Sequence, residues 1–284
     1  MTETRRVEAI IDPQSVVEGA GVRVQRSIGT REVNYLDPFL LFDDFGSRDR
    51  RDYEAGFPMH PHRGIETVTY VLSGEVRHKD TLGNSGSIGA GDIQWMTSGR
   101  GILHEEMPQV RPEGITGFQL WVNLPAKVKM TQPRYQDLPV KRIPEIAGKD
   151  GVRIRVVAGI VGEVRGAVTD IAADPVYLDV LLPPRGAYRG RIAPGHTAFA
   201  YVFEGRATFP GPGLEEVVVP HPRLVVLGDG GEVRVTTGDE PARFLLVSGK
   251  PLHEPIARYG PFVMNTRAEI EQALEDLRRG SFVR

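Results

Sequence analysis

Residues 56–74 read Gly56-Phe-Pro-Met-His60-Pro-His62-Arg-Gly-Ile-Glu66-Thr-Val-Thr-Tyr-Val-Leu-Ser-Gly74, and their reading decides the fold class. In a β-strand the side chains at i and i+2 share a face, so His60 and His62 point the same way. His104 and Glu106 repeat that spacing in Ile102–Met107. If Phe57–His62 and Ile102–Met107 are neighbouring strands of one sheet, four metal-competent groups meet in one small volume. Three imidazoles and a carboxylate suit a borderline divalent transition metal with coordination positions left open. The spacing therefore predicts one mononuclear metal centre built from His60, His62, His104 and Glu106. A lone histidine is more often a satisfied core or surface residue; three in this pattern favour ligands.

Outward from this stretch, short β-branched and aromatic runs recur: Thr67–Leu72, Gly117–Asn123, Arg153–Ala158, Val176–Leu182, Phe199–Phe203, Glu216–Val219, Leu224–Leu227, Val233–Thr237 and Arg243–Val247. In Gly117–Asn123, Phe118, Leu120 and Val122 face one way while Gln119, Trp121 and Asn123 face the other. The 33 glycines and 22 prolines punctuate these runs, as expected of an all-β sandwich or barrel. One helix closes the chain. Thr266 and Glu269 form a capping box, Ile270, Ala273, Leu274 and Leu277 a stripe, and Arg278-Arg279-Gly280 the end.

A weak internal repeat relates Tyr70-Val71-Leu72-Ser73-Gly74 to Tyr201-Val202-Phe203-Glu204-Gly205, and Gly91-Asp92 to Gly228-Asp229. At that offset Arg191 and Ala193 stand where His60 and His62 stand in the first unit. Residues 124–150, rich in Pro, Lys and Gln, read as the connector. The expectation is two domains, 1–140 holding the metal and 141–284 without ligands.

Composition narrows the function classes. A formal charge of -2 over 284 residues leaves no global basic footprint for nucleic acid. The absence of cysteine removes disulfides, thiolate ligands and thiol nucleophiles. No apolar run is long enough for a signal peptide or a membrane span, so a cytoplasmic protein is expected.

The stretch at 56–74, together with Gly91-Asp-Ile-Gln-Trp-Met-Thr-Ser-Gly-Arg-Gly-Ile-Leu-His104-Glu-Glu106-Met107 and Leu120-Trp-Val-Asn-Leu-Pro125, resembles the pirin branch of the cupins. The resemblance is dense over the first half and architectural over the second. It implies a bicupin of two antiparallel β-barrels with a short C-terminal helix, and one metal in the N-terminal barrel. That metal would be iron first, with Mn, Ni, Cu, Co or Zn as alternatives. Several pirins show quercetin 2,3-dioxygenase activity, and animal members act as iron-dependent nuclear cofactors. Carried over by motif, the ligands fall on His60, His62, His104 and Glu106. In the wider cupin pattern the carboxylate would be Glu66, which strand parity alone does not exclude. The pirin match favours Glu106 and leaves Glu66 as a partner of a ligand imidazole or of Arg63.

Two activities follow as expectations. One is oxygenolytic ring opening of a flavonol-like aromatic substrate, with Glu106 as ligand and proton acceptor. The other is a metal- and redox-dependent regulator read by a protein partner. The remaining histidines, His78, His196, His221 and His253, read as solvated loop residues. Trp95 and Trp121 are candidates for a pocket wall, a core role for Trp95 being equally expected. Asp43-Asp44-Phe45 reads as a turn.

Overall fold

The computed structural model describes residues 3–148 and 150–283. The chain forms two compact units, one of residues 14–140 with 252–284 and the other of residues 1–13 with 141–251. Each unit takes a segment from the far end of the chain.

Among the described residues, the unit built on residues 14–140 contains, beside a two-stranded sheet of Ala257–Tyr259 with Phe262–Met264, two large antiparallel sheets. The larger runs in the spatial order Arg134–Leu138, Ile93–Thr97, Ile65–Ser73, Ile115–Asn123, Phe39–Ser47, Val22–Ile28, Gln14–Glu18. The smaller runs Phe57–His62, Ile102–Pro108, Val76–Asp80, Ser85–Ile88. Apolar alternation explains the larger sheet. Phe118, Leu120 and Val122 are buried on one face of their strand, while Gln119 and Trp121 look into a cavity on the other. A core of Val22, Val24, Tyr53, Val71, Val76, Ile88 and Ile115 fills one end of this unit.

In the other unit, a sheet runs Val7–Ile11, Arg223–Leu227, Thr197–Pro210, Ala242–Gly249, Val176–Leu182, Arg153–Ala158, Glu145–Ala147, with Ala187–Arg191 and Glu216–Pro220 continuing through side pairings. Its core is aliphatic and aromatic throughout, including Val156, Leu178, Val180, Ala200, Val202, Phe209, Phe244 and Leu246.

The expected strands all form, most within two residues of the expected bounds; Phe199–Phe203 lies inside the longer Thr197–Pro210. The helix spans Arg267–Arg278 with both halves of the Thr266–Glu269 capping box made. It packs with Phe262, Met264 and Phe282 through Ile270 and Ala273.

Two expectations are corrected. Asp43-Asp44-Phe45 lies inside the strand Phe39–Ser47, because the Arg26 guanidinium grips the Asp43 carboxylate with two bonds of 2.8 and 2.7 Å and offsets the cost of placing the charge there. The 124–150 stretch is no plain connector. Arg134–Leu138 pairs with Ile93–Thr97, and Glu145–Ala147 pairs with Arg153–Arg155 in the other unit. Polar side chains on edge strands gave that stretch a loop-like composition.

A candidate metal centre in the wall of a barrel cavity

Register brings the four expected groups into one unit. Ile102–Pro108 pairs antiparallel with Phe57–His62, placing Ile102 opposite His62 and His104 opposite His60. A bulge follows, and Glu106 comes opposite Phe57. On its other side the same strand pairs with Val76–Asp80, setting Asp80 opposite His104 and His78 opposite Glu106.

His60, His62 and His104 form a triangle. Their ring centroids are 4.5 Å (60–104), 4.8 Å (60–62) and 5.0 Å (62–104) apart, and one ring nitrogen from each falls within 4.8 Å of the others. His60 Nδ1 donates to the Pro58 carbonyl at 2.9 Å, which leaves its Nε2 lone pair free and 3.0 Å from His62 Nε2. His62 Nδ1 and both ring nitrogens of His104 are buried without a hydrogen-bond partner. Burial, with the neighbouring imidazoles His104 and His60, holds His62 well below the usual histidine range, against the Pro261 carbonyl. Burial, then His60 and His78, lowers His104 to about 3, with Asp80 opposing. At neutral pH both rings are therefore uncharged, and each of the three imidazoles offers one nitrogen to a shared space. That donor set fits a divalent transition metal, because neutral imidazole is the ligating form.

Glu106 stands beside this triangle rather than inside its closest set. Its Oε1 accepts from Thr69 Oγ1 at 3.0 Å, and Thr69 Oγ1 lies 2.6 Å from the Gln119 side-chain oxygen. One hydroxyl proton cannot serve both. With the Gln119 amide turned so that its NH2 donates, the chain runs Gln119 to Thr69 to Glu106. Glu66 takes a different place. It is buried on the strand Ile65–Ser73 and accepts from Thr97 Oγ1 at 2.8 Å, not from a ligand imidazole or from Arg63. Burial raises its pKa, with Thr97 and Trp95 opposing. Arg63 instead donates to Asp276 Oδ2 at 2.7 Å and lies over the Phe282 ring at 4.4 Å.

The turn that separates His62 from Glu66 depends on Gly64, whose φ is +81° and whose missing Cβ would collide with the Val263 carbonyl. Lys129 Nζ ties this turn down, donating to the carbonyls of Gly64 and Val263 at 2.8 and 2.9 Å and to Asn123 Oδ1 at 2.6 Å.

A cavity of about 540 Å³ opens onto the site, lined by His60, His62, Thr69, Glu106, Gln119 and Trp121 among others. Its size falls in the range of small-molecule sites. Trp121 belongs to the wall and meets His62 edge-on at 5.1 Å, whereas Trp95 is fully buried and serves the core. His78 is also corrected: it is buried, 5% exposed, and its ring tilts against Tyr135 at 5.6 Å. Thr69, Gln119, His78 and Asp80 were not singled out as site residues. Strand parity puts Gln119 on the face of Trp121 and His78 on that of Asp80, but gives no chemical reason to read any of the four as site residues.

Three histidines gathered on two paired strands of a mostly β chain form a candidate metal site of the cupin kind. Two family models match: "Pirin" over residues 21–122 and "Pirin C-terminal cupin domain" over residues 177–283. A Pseudomonas aeruginosa protein named "Putative quercetin 2,3-dioxygenase" is 44% identical over 284 residues, covering 99% of each chain. Human pirin is 42% identical over 281 residues, covering 98% of this chain and 94% of its own. A crystal structure titled quercetin 2,3-dioxygenase from Acinetobacter baumannii superposes with a TM-score of 0.87 at 35% identity, covering 99% of both chains. The chain belongs to the pirin family.

Proposed function

We propose that the protein is a metal-dependent dioxygenase that opens the heterocyclic ring of a flavonol-type substrate, with His60, His62, His104 and Glu106 as the metal-binding set. The observation that carries this reading is the imidazole triangle, with His62 and His104 buried and His60 half-buried, beside a ligand-sized cavity. The Pseudomonas and Acinetobacter proteins, by their names, suggest the substrate class. A bound divalent ion, iron in the first instance, would supply Lewis acidity and a template for substrate and dioxygen.

The chain's own residues do the rest. Glu106 lies in the cavity wall with one carboxylate oxygen held by Thr69, leaving the other to accept the proton of a substrate hydroxyl. Phe45, Phe57 and Trp121 provide flat apolar surface for an aromatic ring system and displace water from it. The unit around residues 141–251, where Arg191 and Ala193 fall at the ligand positions, is read as metal-free.

The test is oxygen uptake with carbon monoxide release from quercetin by protein loaded in turn with Fe(II), Mn(II), Ni(II), Co(II) and Cu(II). Turnover with at least one metal is expected. A fully loaded protein that consumes no oxygen with any flavonol would favour the second reading, a metal-dependent regulator, which the likeness to human pirin keeps in view.

A further inference from the structure

Three arginines line the cavity, and they are not equivalent. Arg26 is occupied on every side: two bonds to Asp43 and one of 2.6 Å to Glu18. Arg23 pairs with Asp52 at 3.4 Å. Arg258, on the short strand Ala257–Tyr259, makes no ion pair among the described residues. Its guanidinium makes two long contacts, 3.3 Å to the Leu40 carbonyl and 3.4 Å to the Gly260 carbonyl. Most of its five donors are unspent. The carboxylates nearest in charge, Glu18 and Asp43, are both held by Arg26. Arg258 is solvent-exposed as well as cavity-lining, so the cavity opens where it stands.

Its position relative to the histidines is set by one indole. The guanidinium lies 5.2 Å over the Trp121 ring, and Trp121 meets His62 edge-on at 5.1 Å. The cation–π contact with the indole holds the guanidinium beside the ring and leaves most of its donors for a partner. A planar ligand with one end at the histidines would therefore present its other end to a fixed fork of donors.

We propose that Arg258 forms an anion subsite at the cavity mouth, selecting aromatic ligands that carry a carboxylate or phenolate distal to the end facing the histidines. This deepens the reading of the cavity as a substrate site and rests on it, but its test does not require turnover.

The experiment compares 2-naphthoate with 2-naphthamide, a neutral molecule of similar shape, by titration calorimetry on Ni(II)-loaded and metal-free protein. The parent is expected to bind the carboxylate roughly tenfold more tightly in both states, as a charge-assisted bidentate contact allows. Arg258→Gln should erase that preference while leaving metal content and naphthamide affinity within about twofold, and Arg258→Lys should restore part of it. A parent that shows no preference, or binds neither probe, overturns the subsite. So does a preference that survives Arg258→Gln; if that surviving preference vanishes on removing the metal, the carboxylate sits on the ion instead. Quercetin turnover is scored separately. Its absence alongside an Arg258-dependent naphthoate preference would defeat the dioxygenase reading and leave the subsite standing, and the converse result would do the reverse.

Discussion

The proposed function asks Glu106 to be both ligand and proton acceptor, and the Thr69 bond is compatible with either role. A carboxylate with one oxygen held by a hydroxyl keeps its orientation while the other oxygen remains free to bind metal or take a proton. Glu106→Gln preserves volume and an oxygen donor but removes the charge. The expected outcome is measurable retained metal with quercetin turnover lowered roughly a hundredfold or more, the usual cost of losing a general base. Parent-level turnover with metal intact would show that the base lies elsewhere. Thr69→Val keeps the shape of the side chain and deletes only the hydroxyl. Turnover should fall about tenfold with little change in folding, as measured by oxygen uptake beside a thermal melt. An unaltered rate would mean that Thr69 does not orient the carboxylate. At this scale the histidine triangle was legible, because the i, i+2 rule puts His60 and His62 on one face and the strand pairing adds His104, while Glu106 stays a proposed member of the candidate site. Thr69 and Gln119 escaped notice because threonine and glutamine on a strand carry no chemical signature until a neighbour is known.

Among the elements, the turn between His62 and Ile65 is held by charges that would be costly if unpaired. Arg63, with a side chain 4% exposed, meets Asp276 of the C-terminal helix, whose side chain is 22% exposed. Asp276→Asn would strip the counter-charge from a buried guanidinium. Because Asp276 retains some solvent, the loss should be about 2 kcal/mol, below that for a fully buried pair, and should lower the melting temperature by several degrees. An unchanged melt would show that the contact contributes nothing. Lys129, only 1% exposed, offers a pH test. Burial lowers its pKa to about 8, with Glu254 and Glu269 opposing. Between about pH 8 and the ordinary lysine value near 10.4 the unfolded chain holds more protons than the folded one, so stability gains a rising contribution with pH across that window. Lys129→Met, whatever its absolute cost, should flatten the rise in melting temperature over that range relative to the parent. Identical slopes would contradict the assignment. The strands and the capped helix were readable because alternation and capping are local. The strand at Arg134–Leu138 and the inward turn of His78 depend on pairing partners far along the chain, which local pattern does not encode.

For the whole molecule, the ends of the chain cross between the units. Val7–Ile11 pairs with Arg223–Leu227 in one, while residues 252–284 complete the other and bring Arg258, Gly260 and Pro261 to its cavity. No repeat or composition shift marks this exchange, since long-range pairing leaves no trace in neighbouring residues. The metal count per chain tests the account most directly. Freshly purified parent, His62→Ala and His196→Ala would be loaded under the same conditions, desalted and assayed by elemental analysis. About one equivalent of transition metal is expected in the parent, the same in His196→Ala, and less than a tenth of that in a folded His62→Ala, because an imidazole ligand has no substitute there. A parent that retains no metal, a His62→Ala protein that keeps its full complement, or a second equivalent lost with His196 would contradict that expectation.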